Sequence, residues 1–367
     1  MKILICASGS GGHIYPALSL SEELRILDRT VEIIFLCTKK DIEKKIFSSA
    51  GFPVVSVDIL PLSCNGNFFV CLLKKVYFLL KFIKAGIRVF FLLLQFKIDA
   101  VIGFGGIGSV AAIVLAKILG KRTLICEQNI YPGRANLFLA KISDKVAIGF
   151  IESRKYFKRG DVIFTGNPLR KGLKKIFKIS ARQSLGLDPD KFTILVFGGS
   201  QGANFVNNSF IQALKLCTDS EKRGVQIIHL TGETEELRVK AEYKKLDVLA
   251  LVFAYSSDIG SLYSAADLAV CRAGAATLNE ISYFALPTIL VPYPYAYAHQ
   301  IANAEFMAKH RAAFVALQNA RCAFHIQKII RRVLNDYGLL KSMSKLVSNL
   351  HVPDAAGNLA AQVLNLR

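Results

Sequence analysis

Two stretches of this 367-residue chain carry nearly the same pattern twice. "ILICASGSGG" (3–12) is matched by "ILVFGGSQGA" (194–203). "DAVIGFGGIGS" (99–109), followed by "RTLIC", is matched by "DLAVCRAGAAT" (267–277), followed by "PTILV". Each is a β-branched apolar run that enters a small-residue loop and then a helical pattern. The repeat at about half the chain length predicts two domains of similar build. Other short runs, such as "VEIIFLCT", "KVAIGF" and "VQIIHLTG", alternate with longer helical stretches. Alternating strand–helix units imply parallel sheets buried on both faces. The expected fold is therefore α/β, with two Rossmann-like, doubly wound parallel-sheet domains facing an inter-domain cleft. Ligands bind at the carboxyl ends of such strands. The domains are expected at 1–165 and 166–351, with a linker near 159–173 and a terminal helix in 352–367.

The chain is 52% hydrophobic and 20% charged, which excludes a disordered class. Its 47 Lys+Arg against 27 Asp+Glu give a net charge of +20. That balance favours an anionic partner: nucleic acid, an acidic membrane surface or a phosphorylated substrate. The eight cysteines are scattered, with no CxxC pair and no zinc spacing. Several lie in apolar runs and read as buried thiols of a reducing compartment. The first apolar run is too short for a signal peptide.

The stretch "FFVCLLKKVYFLLKFIKAGIRVFFLLLQFKI" (68–98) is apolar and basic, but its charge-free runs are too short to span a bilayer. On a helix, Lys74, Lys81, Lys84, Arg88 and Gln95 fall in one narrow arc, and apolar residues fill much of the rest, with Lys75 the main exception. Such a helix suits the surface of an anionic membrane. The expected contacts are Phe78, Leu79, Phe82, Phe90 and Phe91, with Lys81, Lys84 and Arg88. A core helix with one wet face is the competing reading. Nucleic acid is not expected, because the cations alternate with aliphatics and no nucleic-acid module is visible.

"FGGSQGANFVNN" (197–208) follows a strand and opens a helix. Its glycines let backbone N–H groups approach an anion, and a diphosphate suits the site. "CRAGAATLNE" (271–280) is a second such loop. Glu280 could accept from ribose hydroxyls there, although a surface glutamate remains open. Arg170, in "GNPLR", could reach a pyrophosphate or base. "CEQN" (126–129) ends a first-domain strand, and "HQIANAE" (299–305) opens another helix. Asp188 and Asp190, in "DPD", have the spacing of some metal sites but read as a turn.

Taken together and in this order, "SGSGGHIYPAL", "GFGGIGS", "CEQN", "GNPLR", "GGSQGA", "CRAGAATLNE" and "HQIANAE" resemble one family. It is the bacterial UDP-N-acetylglucosamine–N-acetylmuramyl-(pentapeptide) pyrophosphoryl-undecaprenol N-acetylglucosaminyltransferases, the MurG family. The likeness covers essentially the whole chain. It implies a GT-B fold, with the acceptor lipid on the first domain and UDP-GlcNAc on the second. It also implies that the last helix crosses back to the first domain.

The resemblance further implies that Ser200, Gln201 and Gly202 contact the donor diphosphate, and that Glu280 holds the ribose. Arg170, Ala275, Ala276 and Thr277 would line the nucleotide pocket, and Asn129, His299 and Gln300 would contact the GlcNAc sugar. Ser10, Gly11, Gly12, Gly105, Gly106 and Ser109 would cradle the acceptor's diphosphate. No metal or cofactor is implied.

Three positions depart from the family pattern: Cys126 where a His is common, Ile107 where an aromatic is common, and Arg311 where a Gly is often found. The first two bear on the acceptor side.

The implied reaction is an inverting transfer of GlcNAc to the muramyl 4-hydroxyl of lipid I, giving lipid II and UDP. It would take place at the cytoplasmic face of the plasma membrane. His13 is the expected general base, since a neutral imidazole accepts a proton near pH 7. Glu127 is the alternative base. Rival readings are another GT-B lipid glycosyltransferase, a UDP-GlcNAc 2-epimerase, and a membrane-attached nucleotide-binding scaffold without turnover.

Overall fold

A computed structural model describes residues 1–9, 11–58, 68–158, 160–199, 202–295 and 299–366. The chain forms two compact units, Met1–Arg170 with Val352–Arg367, and Lys171–His351.

The first unit runs β1 (Lys2–Cys6), α1 (Gly11–Leu27), β2 (Glu32–Thr38), α2 (Asp41–Ser49), β3 (Val54–Val57) and α3 (Phe68–Gln95). It continues with β4 (Ala100–Gly103), α4 (Gly106–Ile118), β5 (Arg122–Glu127), α5 (Arg134–Leu139), β6 (Lys145–Ile148) and β7 (Asp161–Phe164). The strands form one sheet in the order β3-β2-β1-β4-β5-β6-β7. The pairings are parallel throughout.

The pleat divides the apolar runs between two layers. Ile3 and Ile5 join one core with Ile14, Ala17, Leu20 and Leu24 of α1. Leu4 and Cys6 join the opposite core with Ala85, Val89, Leu92 and Leu93 of α3 and Ala112, Ile113 and Ala116 of α4. Both layers are buried, which is why these strands read as continuous apolar runs rather than alternating ones.

The second unit runs α6 (Lys178–Ser184), β8 (Phe192–Phe197), α7 (Asn204–Lys215), α8 (Asp219–Arg223), β9 (Val225–Leu230), α9 (Glu236–Lys245), β10 (Ala250–Phe253) and α10 (Ile259–Ala265). It continues with β11 (Leu268–Cys271), α11 (Ala275–Phe284), β12 (Thr288–Leu290), α12 (His299–Lys309), β13 (Ala313–Val315), α13 (Cys322–Asn335) and α14 (Tyr337–Ser348). Its parallel sheet has the order β10-β9-β8-β11-β12-β13.

A last helix, α15 (Ala355–Leu364), returns to the first unit, where Leu359, Ala360 and Val363 are buried in the core of Ile3 and Ile5. Gly166 meets this helix closely: at φ +77°, an added Cβ would lie 2.7 Å from Val352 and 3.1 Å from Ala355.

The strand order reverses between β1 and β4 in the first unit and between β8 and β11 in the second. At such a point the loops on neighbouring strands diverge and leave a crevice at the carboxyl edge. The repeated glycine-rich loops lie there in both units.

Candidate active site

In the first unit, the loop after β1 is braced from behind. Gly9, at φ +100°, donates its N–H to Glu43 Oε1 at 2.9 Å. The other oxygen of Glu43 accepts the N–H and the hydroxyl of Thr38, each at 2.9 Å. Glu43 is fully buried. Charge-assisted bonds of this kind make a carboxylate tolerable there. Nothing in the local sequence "DIEKK" singles it out.

His13 stands on the first turn of α1. Its Nδ1 lies 2.9 Å from the Ser8 carbonyl oxygen. A carbonyl only accepts, so Nδ1 carries the hydrogen and Nε2 is left with its lone pair in the neutral ring. Nε2 faces the second loop: a Cβ added to Gly105 would sit 3.5 Å from it. Gly105 and Gly106 have φ of +97° and +80°, so side chains are disfavoured there on backbone grounds as well.

Gly11 lies against the Tyr15 ring, 3.2 Å from an added Cβ. Gly12 is half-buried on the same turn. Ser10 lies outside the described residues. Ser109 is buried, and its hydroxyl donates to Gly105 O at 2.7 Å, so it ties the loop to α4 instead of offering an open hydroxyl.

Glu127, the alternative base, ends β5. It is 2% exposed, and its two oxygens accept from four donors. Asn129 N and Nδ2 reach Oε1 at 2.8 and 3.2 Å, while Gly133 N and Asn136 Nδ2 reach Oε2 at 2.9 and 2.8 Å. A carboxylate so occupied fixes the 127–136 loop. Asn136, which local motifs did not pick out, also donates to Cys126 O at 3.0 Å. Its Nδ2 also approaches Gly105, 3.7 Å from an added Cβ. Cys126 itself is buried, and desolvation first, then Glu127, raises its thiol well above the usual range. Ile107 is half-buried against the core, and Arg311 is exposed at φ +54°.

Arg170 belongs to the first unit, with its guanidinium carbon 3.7 Å from the Tyr15 ring centroid. Stacking of this kind holds the planar cation at a fixed angle.

In the second unit, glycine is a steric requirement in the β8 loop. A Cβ on Gly198 would lie 2.3 Å from Ala203, and one on Gly202 would lie 2.3 Å from Thr231 O. Gly199 has φ +102°, and among the described residues nothing lies within 4 Å of a Cβ added to it. The loop closes through Gly202 N to Gly199 O at 2.9 Å. Ser200 and Gln201 lie outside the described residues. The N-cap residues of α7 and α11, Ala203 and Gly274, make no side-chain cap. First-turn N–H groups near Ala275, Ala276 and Thr277 thus keep the positive potential of a helix start.

A buried relay supports this loop. Asn207 Nδ2 donates to Thr231 O at 3.0 Å, so its Oδ1 must accept from His229 Nε2 at 3.1 Å. The remaining ring nitrogen, Nδ1, accepts from the Tyr243 hydroxyl at 2.7 Å. Burial pushes His229 down to about 3, and it is neutral at physiological pH.

Glu280 accepts from the Tyr263 hydroxyl at 2.8 Å, and Tyr263 is itself locked between Phe197 and Phe284. Gln300 Oε1 accepts from Tyr293 N at 3.0 Å, which fixes its amide beside the β12 loop. His299 opens α12 and is half-buried. Asn303, one turn on, donates to Ala273 O at 3.0 Å.

Arg272 is a cation the sequence motifs did not single out. It is 9% exposed, with Nη1 donating to Val291 O at 3.0 Å. Its guanidinium carbon lies 5.4 Å from the Tyr293 ring centroid, and desolvation lowers its pKa. Asp188 accepts from Asp190 N at 2.9 Å, which makes "DPD" the turn it was read as.

α3 has two apolar faces. Phe78, Phe82, Ala85, Val89, Leu92 and Leu93 turn inward to the core. Phe78 and Phe82, expected to contact a membrane, therefore pack against protein, because they share the arc of Val89. The opposite face, with Leu72, Leu73, Val76, Leu79, Leu80, Ile83, Ile87 and Phe91, is exposed. Lys84 and Arg88 flank it, while Phe90 is half-buried. Lys81 is held by Asp58 at 3.2 Å. Among the described residues, no helix is long and apolar enough to cross a membrane.

Two Rossmann-type units, each with glycine loops and helix starts at the reversal point of its sheet, are the build of the GT-B fold, and the family match makes the chain a glycosyltransferase. The chain belongs to glycosyltransferase family 28: the family's N-terminal domain matches residues 3–148 and its C-terminal domain residues 193–359.

It is 34% identical over 357 residues to the UDP-N-acetylglucosamine–N-acetylmuramyl-(pentapeptide) pyrophosphoryl-undecaprenol N-acetylglucosamine transferase of Geobacter sulfurreducens, covering 97% of this chain and 96% of that one. It is 33% identical to the Bacillus subtilis protein of the same name, covering all of both chains. Among solved structures it is similar to Acinetobacter baumannii MurG, with a TM-score of 0.79, 26% identity and 99% of each chain covered. The Staphylococcus aureus MnaA–UDP structure, at 13% identity and a TM-score of 0.69, shares the fold.

Proposed function

We propose that this protein transfers GlcNAc from UDP-GlcNAc to the muramyl 4-hydroxyl of lipid I, forming lipid II with inversion and releasing UDP. The observation that carries this reading is likeness along the whole chain to transferases of that name, at 33–34% identity.

The donor lies on the second unit. Its diphosphate is held by Gly202 with Ser200 and Gln201, and by the first turn of α11 at Ala275, Ala276 and Thr277. Glu280, aimed by Tyr263, accepts from the ribose. In this reading Arg170 is a nucleotide contact, and Asn129, His299 and Gln300 are sugar contacts. The acceptor diphosphate lies on the first unit, at Ser10–Gly12 and Gly105–Gly106. Ser109 holds that second loop from beneath.

His13 Nε2 takes the proton of the 4-hydroxyl as its oxygen attacks the anomeric carbon. The bond from that carbon to the β-phosphate oxygen breaks, and UDP leaves with the electron pair. N–H groups at the two helix starts stabilise its charge. Glu127 has no proton-transfer role in this scheme.

The outer face of α3 rests on the anionic cytoplasmic surface of the bacterial plasma membrane, where a lipid-linked acceptor resides. Lys84 and Arg88 reach the headgroups.

The test is incubation of purified protein with UDP-GlcNAc and a short-chain lipid I analogue. The disaccharide product is expected. UDP binding without any turnover would overturn the reading.

A further inference from the structure

The stretch "KGLKKIFKIS" (171–180), which opens the second unit, is pinned to that unit. A Cβ added to Gly260 of α10 would sit 3.3 Å from the Lys174 carbonyl oxygen. The Ile176 N–H donates to Ser264 Oγ at 3.3 Å. Fixed in this way, the backbone holds its apolar side chains outward instead of letting them fold in. Phe177 is 87% exposed, the most exposed large apolar side chain among the described residues, and Ile176 and Ile179 are exposed beside it. Clustered exposure of this kind marks a contact surface.

The charge along the stretch of sequence itself has one sign. From Val162 to Leu187 the sequence holds no Asp or Glu, while Lys171, Lys174, Lys175 and Lys178 fall within ten residues of one another. Lys178 is answered by Asp267 at 2.6 Å. The ammonium of Lys175 lies 4.7 Å from the Tyr283 ring centroid, on the same surface. Lys341 of α14 adds a further cation where Lys175 and Ile176 line a cavity of about 340 Å³.

We propose that this face of the second unit is a separate contact for anionic phospholipid, additional to α3 of the first unit. Phe177, Ile176 and Ile179 enter the interfacial region, and the lysines extend along it to the headgroup phosphates. A nucleic acid would leave Ile176 and Ile179 in water, so the alternation of cations with aliphatics favours lipid. The choice of partner rests on the membrane reading above, but the residues differ, and the two can fail separately.

The experiment is flotation of the full chain with vesicles of phosphatidylcholine alone or mixed with phosphatidylglycerol. One variant carries Phe177→Ser and Ile179→Ser. A second carries Lys171→Gln, Lys174→Gln and Lys175→Gln. A third, in α3, carries Ile83→Ser and Ile87→Ser. Turnover on a short-chain soluble acceptor checks that each variant is folded.

The lysine variant is expected to lose about fivefold in affinity per lysine for anionic vesicles, roughly a hundredfold in all. The Phe177/Ile179 variant is expected to lose at least tenfold, with soluble turnover within about twofold in both. Loss of these affinities while the α3 variant still binds would support this proposal and sink the α3 reading. Unchanged binding in both second-unit variants, with loss in the α3 variant, would overturn this proposal alone. An intact protein that ignores anionic vesicles, or is retained on RNA in preference to them, would overturn both.

Discussion

The Nδ1–H of His13 is committed to the carbonyl oxygen of Ser8 at 2.9 Å, so the ring shows the Nε2 lone pair to the Gly105 loop. That commitment fixes the tautomer a general base needs. His13→Ala should lower kcat by about 10²- to 10⁴-fold. The dissociation constant for UDP, measured by calorimetry, should barely change. Near-normal kcat would remove His13 from the chemistry.

Glu127 is predicted to matter for stability instead. Glu127→Gln turns one acceptor oxygen into an NH2 facing existing donors, at a cost of about 1–3 kcal/mol. The melting temperature should fall, while the acid limb of the pH–rate profile keeps its midpoint. A shifted midpoint with an unchanged melting temperature would restore Glu127 as a proton carrier.

Gly202→Ala places a methyl 2.3 Å from Thr231 O at φ +72°. The loop must move to relieve the clash, and backbone strain adds about 1 kcal/mol. UDP affinity should fall at least tenfold, with the circular dichroism spectrum unchanged. Wild-type UDP binding would mean that this loop does not hold the donor.

The His229 relay predicts a pH dependence with a definite sign. Burial holds the histidine at about 3 in the folded unit, against its ordinary value of 6.5 in the unfolded chain. Between those values the unfolded chain binds more protons, so stability is fully present above pH 6.5 and is lost as pH falls toward 3. The slope is about 1.4 kcal/mol per pH unit for one proton. His229→Gln should flatten this part of the urea-unfolding profile for the second unit. An unaltered slope would show that other groups carry it.

The loops were legible because each is local. An apolar run, a glycine that a Cβ would spoil and a helix start follow one another within a dozen residues. The braces behind them were not. Glu43 reaches Gly9 from 34 residues away, and Asn207 reaches Thr231 from 24 away. No spacing in one sequence announces such pairs. The periodicity of α3 gave the cationic stripe correctly but could not say which apolar half faces the sheet. Phe78 and Phe82 went inward because Ala85 and Val89, on their arc, complete the core of Leu4 and Val101. β13, at three residues, has too short an apolar run to stand out.

The return of α15 to the first unit sets an order of assembly during synthesis. The core around Ile3 and Ile5 is open along one side until Leu359, Ala360 and Val363 arrive. The ribosome must first translate the whole of Lys171–His351, which takes roughly ten to forty seconds at bacterial rates. The sheet begun first is therefore closed last, after a later one has had time to fold. Through that interval its unfinished face is a natural substrate for chaperones.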